Sequence, residues 1–147
     1  MPELVRLTGL DPSVLLPLVR ESEAEGFGML RRLFEEYLAG VNRFDRPGEV
    51  LYGVFVEGSL VGVGGLNVDP FESDPGIGRV RRVYVSPAHR REGVGRQLVS
   101  AILADAWSAG FCEVRLHTTN PEAVRFYERM GFRASPGETD MYKVHRP

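Results

Sequence analysis

The sequence predicts an α/β protein of the mixed α+β type, in which a mostly antiparallel sheet is flanked by helices. Segments with helical and strand spacings of apolar residues follow one another in the order β α α β β β α β α β β, which is typical of this class. The chain has 147 residues, of which 43% are hydrophobic, and it contains no repeat or linker. We therefore expect one domain over residues 1–147.

The first half of the chain predicts a strand, two helices and a hairpin. Residues 4–7 favour a strand, and Asp11 followed by proline is typical of a helix start. Apolar spacings of three and four predict a second helix that ends at Gly40. Two β-type runs, 51–56 and 60–68, are separated by a short glycine-containing turn and predict a hairpin.

A glycine-rich strand and a loop come next. Residues 62–65 read Gly-Val-Gly-Gly, which predicts a β-bulge or a close approach of another segment to the backbone. Residues 69–78 contain two prolines and two glycines, so we expect an exposed loop. Residues 80–85 then favour a central strand that is buried on both faces.

The second half alternates helices and strands. A helix over residues 95–109 is expected to end at Gly110, and residues 113–117 alternate as a strand. Asn120 followed by proline opens another helix, which runs to Gly131. Closing strands are expected at Phe132 and at residues 141–144.

The distribution of charge indicates a small anionic ligand. The net charge is -2, which disfavours nucleic acid as a partner, and no apolar run is long enough to span a membrane. The chain start lacks the pattern of a signal peptide, so we expect a cytoplasmic protein. Six arginines nevertheless lie between Arg79 and Arg96, against the single acidic residue Glu92. That local excess suggests a compact polyanion.

The pattern R-x-x-G-x-G, formed by Arg90, Gly93 and Gly95, predicts a pyrophosphate site. The glycines leave room for close approach to the backbone, and the N–H groups at the start of the following helix attract anions. A P-loop is excluded because the only lysine is Lys143, and a Rossmann motif is excluded because Leu98 occupies the third glycine position. The alternative is an ordinary glycine turn with solvated arginines.

A second pattern, N-x-x-A-x-x-F-Y-x-x-x-G-F, runs from Asn120 to Phe132. Alone, it would describe a helix packing face that contains a tyrosine. Together, the two patterns resemble those of the GCN5-related N-acetyltransferase (GNAT) superfamily, and the resemblance is specific between about Arg79 and Phe132. It implies the acyl-CoA N-acyltransferase fold, acetyl-CoA as co-substrate without a metal, and transfer of the acetyl group to a primary amine of a small molecule or peptide.

The resemblance also implies roles for particular residues. Tyr127 would be the general acid, which is chemically reasonable because a phenol with a pKa of about 10 can protonate a thiolate whose conjugate acid titrates near 8.5. The strand before the loop would offer its main chain to the pantetheine and acetyl groups, where it separates from the strand of residues 113–117. The cofactor-binding residues implied in this way are Val83, Tyr84, Val85, Arg90, Arg91, Glu92, Gly93, Val94, Gly95, Arg96, Asn120 and Phe126.

This sequence lacks the acidic residue that serves as the general base in many members of the family. Many relatives carry a glutamate on the strand before the pyrophosphate loop, but residues 79–85 contain no acid. Glu49, Asp69, Glu72, His117 or a water chain remain candidates. The acidic residues of the first helices are expected to form a solvated face, with contact to a cationic amine as the alternative; they are Glu21, Glu23, Glu25, Glu35 and Glu36.

Two other functional classes stay open at this point. One is a non-catalytic module that binds acyl-CoA and senses it. The other is a nucleic-acid surface built on Arg79, Arg81, Arg82 and Tyr84, which the net charge disfavours. The resemblance also allows a homodimer, and no pattern in the first helices identifies the acceptor amine.

Overall fold

A computed structural model describes residues 2–147 and contains one sheet of seven strands with helices on both faces. The strands are β1 (Glu3–Arg6), β2 (Val50–Val56), β3 (Ser59–Val68), β4 (Ile77–Val85), β5 (Glu113–His117), β6 (Arg133–Ala134) and β7 (Met141–His145). The α-helices are α1 (Leu16–Ala24), α2 (Met29–Ala39), α3 (Val94–Ala109) and α4 (Pro121–Arg129), and short 3-10 helices cover Pro12–Leu15 and Pro87–His89. The predicted order of elements is confirmed.

The sheet is antiparallel except at its centre. Its strand order is β1-β2-β3-β4-β5-β7-β6, and only β4 and β5 run parallel to each other. The connection between these two strands is α3, as a parallel pair requires a crossover helix. The prediction of a mixed, mostly antiparallel sheet is therefore confirmed.

The sheet separates two apolar cores. On one face, α3 packs through Leu98 and Ile102 against strand residues that include Val80. On the other face, α1 and α2 cover a second cluster that contains Leu33 and Tyr84. Burial of both faces explains why the central strands are rich in β-branched residues without simple alternation.

The predicted helix boundaries are set by local chemistry. The side chains of Asp11 and Asn120 each accept a hydrogen bond from the backbone N–H two residues later, at 3.0 and 2.9 Å. Gly40 and Gly110 end α2 and α3 in the left-handed conformation, with φ of 75° and 96°. The β2–β3 turn has positive φ at both central residues, as tight hairpins require.

The glycines of β3 permit close packing, as expected. A Cβ at Gly62 would lie 2.8 Å from Cγ1 of Val94, at the start of α3. The register between β3 and β4 also shifts between Val63 and Gly65, but the extra residue lies in β4, so at this point the glycine segment faces a bulge in its partner strand.

The prediction of an exposed loop over residues 69–78 is only partly correct. The last two of these residues, Ile77 and Gly78, begin β4 and are buried. Asp69 is also buried, because its carboxylate forms an ion pair with Arg79 at 3.1 Å. A tertiary partner ten residues away in the chain could not be inferred from the composition of the loop. Among residues 2–147, no helix has the length and apolar character needed to cross a bilayer.

Candidate active site

A gap opens where β4 and β5 separate. Their pairing begins at Ile77 opposite Glu113 and ends at Arg79 opposite Arg115, although β4 continues to Val85. Beyond Arg79, the edge of β4 that faces β5 has no strand partner within the described residues. This is the divergence that the resemblance implied, and it exposes main-chain groups to a ligand.

A bulge in β4 redirects its side chains at this gap. Gly65 pairs with Arg81 and Val63 pairs with Tyr84, so two β4 residues oppose one residue of β3. The bulged residue Arg82 has a φ of 61°, which is unusual for a residue with a long side chain. As a result, Val83 packs into the α3 core on the same face as Val80, three residues earlier.

The predicted pyrophosphate loop, residues 90–96, presents a row of free N–H groups. Arg91 and Gly93 have positive φ, of 65° and 85°, and the loop leads directly into α3. The first backbone bond of the helix runs from the N–H of Gln97 to the carbonyl of Gly93, at 2.9 Å. Within residues 2–147, the backbone N–H groups of residues 91–96 find no acceptor. Such an array at a helix start, including Glu92, Val94 and Gly95, is suited to bind phosphate oxygens.

Arg91 and Arg96 add positive charge beside these N–H groups. Both side chains are exposed, and neither forms an ion pair with any described residue. Gly95 lies under the ring of Phe126, since a Cβ there would be 3.4 Å from Cζ of that ring. Phe126 of α4 therefore borders the loop.

Arg90 has a different environment from its neighbours. Its guanidinium binds both carboxylate oxygens of Glu25, at 2.8 and 2.7 Å, and its Nε donates to the carbonyl of Val85 at 3.0 Å. The hydrogen bonds from Arg90, followed by one from Tyr84, lower the pKa of Glu25. The side chain of Arg90 thus joins the loop to α1 rather than pointing into a phosphate site.

Two acidic residues expected to form a solvated face, Glu21 of α1 and Glu25 at its C-cap, keep solvent exposure but also accept hydrogen bonds from distant side chains. The hydroxyl of Tyr84 donates to Glu25 at 2.6 Å, and that of Ser86 donates to Glu21 at 3.1 Å. Burial and the bond to Glu25 raise the pKa of Tyr84, so its phenol stays neutral. The partners lie about sixty residues apart in the chain, so sequence spacing gave no signal for them.

Tyr127 is buried between two phenylalanine rings. Its ring makes edge contacts with Phe126 and Phe132, at centroid distances of 5.1 and 5.5 Å. Its pKa is raised by burial, and its hydroxyl has no hydrogen-bond partner among residues 2–147. A buried, protonated phenol with an unused donor can deliver a proton to a ligand.

Asn120, at the start of the same helix, caps α4 through its side-chain oxygen. Its side-chain NH₂ group is therefore left to donate to a ligand.

Most of the candidate bases already have protein partners. Glu49 accepts hydrogen bonds from the backbone of Arg46 and Val68, at 3.2 and 2.9 Å. Asp69 is paired with Arg79, as described above. Glu72 forms an ion pair with Arg115 at 2.7 Å. His117, by contrast, is exposed at the end of β5 beside the gap. Residues 2–147 bring together no group of three acidic, histidine or cysteine side chains suited to a metal ion.

Comparisons with known proteins identify the family and the fold. The acetyltransferase (GNAT) family model matches residues 16–132. The uncharacterized N-acetyltransferase YjgM of Escherichia coli K12 is 30% identical over 146 residues, which cover 89% of this chain and 81% of that protein. The crystal structure of PaiA N-acetyltransferase from Thermoplasma acidophilum in complex with coenzyme A covers 99% of both chains, with 17% identity and a TM-score of 0.73. A GCN5-related N-acetyltransferase from Kribbella flavida covers 99% of this chain and 97% of its own, with 18% identity and a TM-score of 0.74.

Proposed function

This chain belongs to the GNAT family of acetyltransferases, and we propose that it transfers the acetyl group of acetyl-CoA directly to a primary amine in the gap between β4 and β5. The family membership makes it an acetyl-CoA-dependent N-acetyltransferase. The observation that best supports this site is the row of backbone N–H groups at residues 91–96, which have no hydrogen-bond acceptor among the described residues. The residue roles that follow are part of the proposal.

The cofactor is held at two places. The N–H groups of the loop and the charges of Arg91 and Arg96 bind the pyrophosphate. The unpaired edge of β4, at Val83, Tyr84 and Val85, hydrogen-bonds the pantetheine arm, while Phe126 and Asn120 border it from α4. The carbonyl of Val85 already accepts from Arg90, and Tyr84 is paired with Val63 of β3, so the main chain of Val83 is the most available partner.

The reaction proceeds by direct attack. The neutral amine forms a bond to the carbonyl carbon of the thioester, and the carbonyl oxygen gains negative charge that a β4 N–H stabilises. The C–S bond then breaks, and Tyr127 donates its proton to the departing CoA thiolate. The amine loses a proton to water or to a base such as His117, and water returns a proton to Tyr127.

The first experiment measures acetyl transfer and cofactor binding in the same samples. We expect one acetylated amine for each CoA released, at a rate that depends on the amine. Gly93→Glu should abolish CoA binding, because it places a carboxylate in the phosphate cradle. Gly9→Glu is the matched control, since Gly9 also has positive φ and open space around it but lies in the loop after β1.

Two results would contradict the proposal. CoA release that is slow and independent of every amine would favour the non-catalytic acyl-CoA module. Normal CoA affinity in Gly93→Glu would exclude the loop as the pyrophosphate site.

A further inference from the structure

We propose that the acceptor amine carries an anionic group, a carboxylate or a phosphate, which Arg81 and Arg82 bind beside the gap between β4 and β5. The inference rests on the proposed function, because it concerns the second substrate of the same site. It is carried by the placement of these arginines, by an unpartnered buried N–H group and by an uncompensated charge.

Both arginines lie where β4 has left β5. They are the second and third residues after Arg79, which is the last β4 residue paired with β5. Arg82 reaches Glu36 of α2 at 3.2 Å, so its side chain lies on the face that α1 and α2 cover. The pyrophosphate loop belongs to α3, which packs on the opposite face. A cationic site at Arg82 is therefore separate from the site that binds the cofactor phosphates.

Arg82 holds a donor with no protein acceptor. Its side chain is only 10% exposed, and its Nε–H is buried without a hydrogen-bond partner within residues 2–147. Buried polar groups are nearly always satisfied, so this donor indicates an acceptor that arrives with a ligand. The positive φ of Arg82 is a strained conformation, and such strain is concentrated at functional sites.

Arg81 supplies a charge that no carboxylate neutralises. Its side chain is partly buried and makes no ion pair or hydrogen bond with a described residue. The charged groups around it are Arg79, Arg82, Glu36 and Asp69. Each of these two carboxylates already binds one of the other arginines, so one positive charge is left in excess. Burial, and then the charge of Arg82, lower the pKa of Arg81.

An oxyanion would accept a hydrogen bond from the free Nε–H of Arg82 and would neutralise the charge of Arg81. Guanidinium groups match the geometry of carboxylates and phosphates, and a half-buried cation is stabilised by such a partner. The neighbouring arginines do not compete for this role. Arg79 is buried against Asp69 and Phe71, and Arg115 of β5 is surrounded by three carboxylates.

The test compares three amines that share an aminoethyl group: ethanolamine, β-alanine and O-phosphoethanolamine. We expect kcat/KM for at least one anionic amine to exceed that for ethanolamine by about 10–100-fold, since a charge-assisted contact is lost in the neutral compound. β-Alanine and O-phosphoethanolamine distinguish a carboxylate from a phosphate. Arg81→Gln should remove the preference, whereas Arg46→Gln, which changes the same charge on an exposed side chain of another loop, should keep it.

A binding measurement accompanies the kinetics. With CoA saturating, inorganic phosphate or acetate should raise the Tm of the wild type more than that of Arg81→Gln. In the absence of anions, Arg81→Gln should be at least as stable as the wild type, because it relieves repulsion among the arginines.

The outcomes separate the two proposals. Acetylation of ethanolamine at least as efficient as that of both anionic amines, or an anion preference that survives in Arg81→Gln, overturns the inference alone. If acetyl-CoA binds but no amine is acetylated, the proposed function falls and this inference falls with it.

Discussion

At the residue scale, the proposed chemistry depends on the phenol of Tyr127. Its burial keeps the hydroxyl protonated, and no described group uses its proton. Tyr127→Phe removes the acid without changing the ring packing against Phe126 and Phe132. We expect kcat to fall by roughly 10²–10⁴ while the Kd for acetyl-CoA changes little, as measured by steady-state kinetics and calorimetry.

Tyr52→Phe is a control for loss of a buried hydroxyl. Tyr52 lies on β2 and donates to Asp105 at 2.7 Å, and burial together with this bond raises its pKa to about 12. Its removal should lower the free energy of unfolding by about 1 kcal/mol and leave kcat unchanged. A normal kcat in Tyr127→Phe would exclude Tyr127 as the proton donor.

Residue-scale features differ in how well the sequence predicts them. Tyr127 belongs to a local pattern on one helix, and the family resemblance of that pattern is what predicts its role as the acid. The partners of Arg90 and Tyr84 were missed, because both side chains bind Glu25 across the fold. The unpartnered Nε of Arg82 was also missed, since it depends on the bulge that buries it.

At the element scale, Glu25 links α1 to the cofactor loop. Its bidentate contact fixes Arg90, and Arg90 in turn binds the carbonyl at the end of β4. We expect Glu25→Gln to raise the KM for acetyl-CoA by about two- to tenfold with a smaller effect on kcat, because the loop loses its support. Glu23→Gln is the matched control, since Glu23 lies in α1 two residues before the C-cap Glu25 but pairs with Arg31. Equal KM values in both variants would argue against the link.

The same contact gives a dependence of stability on pH. The pKa of Glu25 is lowered from 4.5 in the folded protein, first by its bonds to Arg90. A lowered folded pKa stabilises the protein above the unfolded value, and this stabilisation is lost as the pH falls through the folded pKa. The stability difference between wild type and Glu25→Gln, measured by urea unfolding, should therefore be full at pH 7 and shrink below about pH 4. A difference that is constant down to pH 3 would contradict this assignment.

At the scale of the whole molecule, the sequence predicted the order of elements better than their arrangement. The helix caps and the β2–β3 hairpin are local, so their residues were sufficient to place them. The position of β7 between β5 and β6 is set by pairing between distant segments, which local periodicity does not contain. The separation of β4 from β5 has the same origin, and it could be expected only through the family resemblance.

The uneven distribution of charge predicts that salt weakens acetyl-CoA binding through the arginines of one loop. The protein has a net charge of -2, yet Arg91 and Arg96 are exposed at the proposed pyrophosphate loop, where we expect them to attract an anionic cofactor. Raising the ionic strength from about 20 to about 200 mM should increase the KM for acetyl-CoA several-fold, because screening weakens this attraction. Arg96→Gln should reduce the change in this KM with ionic strength. Arg46→Gln gives the same net charge and should retain the wild-type slope, because its side chain lies in the loop before β2. Equal slopes in the two variants would mean that net charge, rather than the loop, governs cofactor attraction.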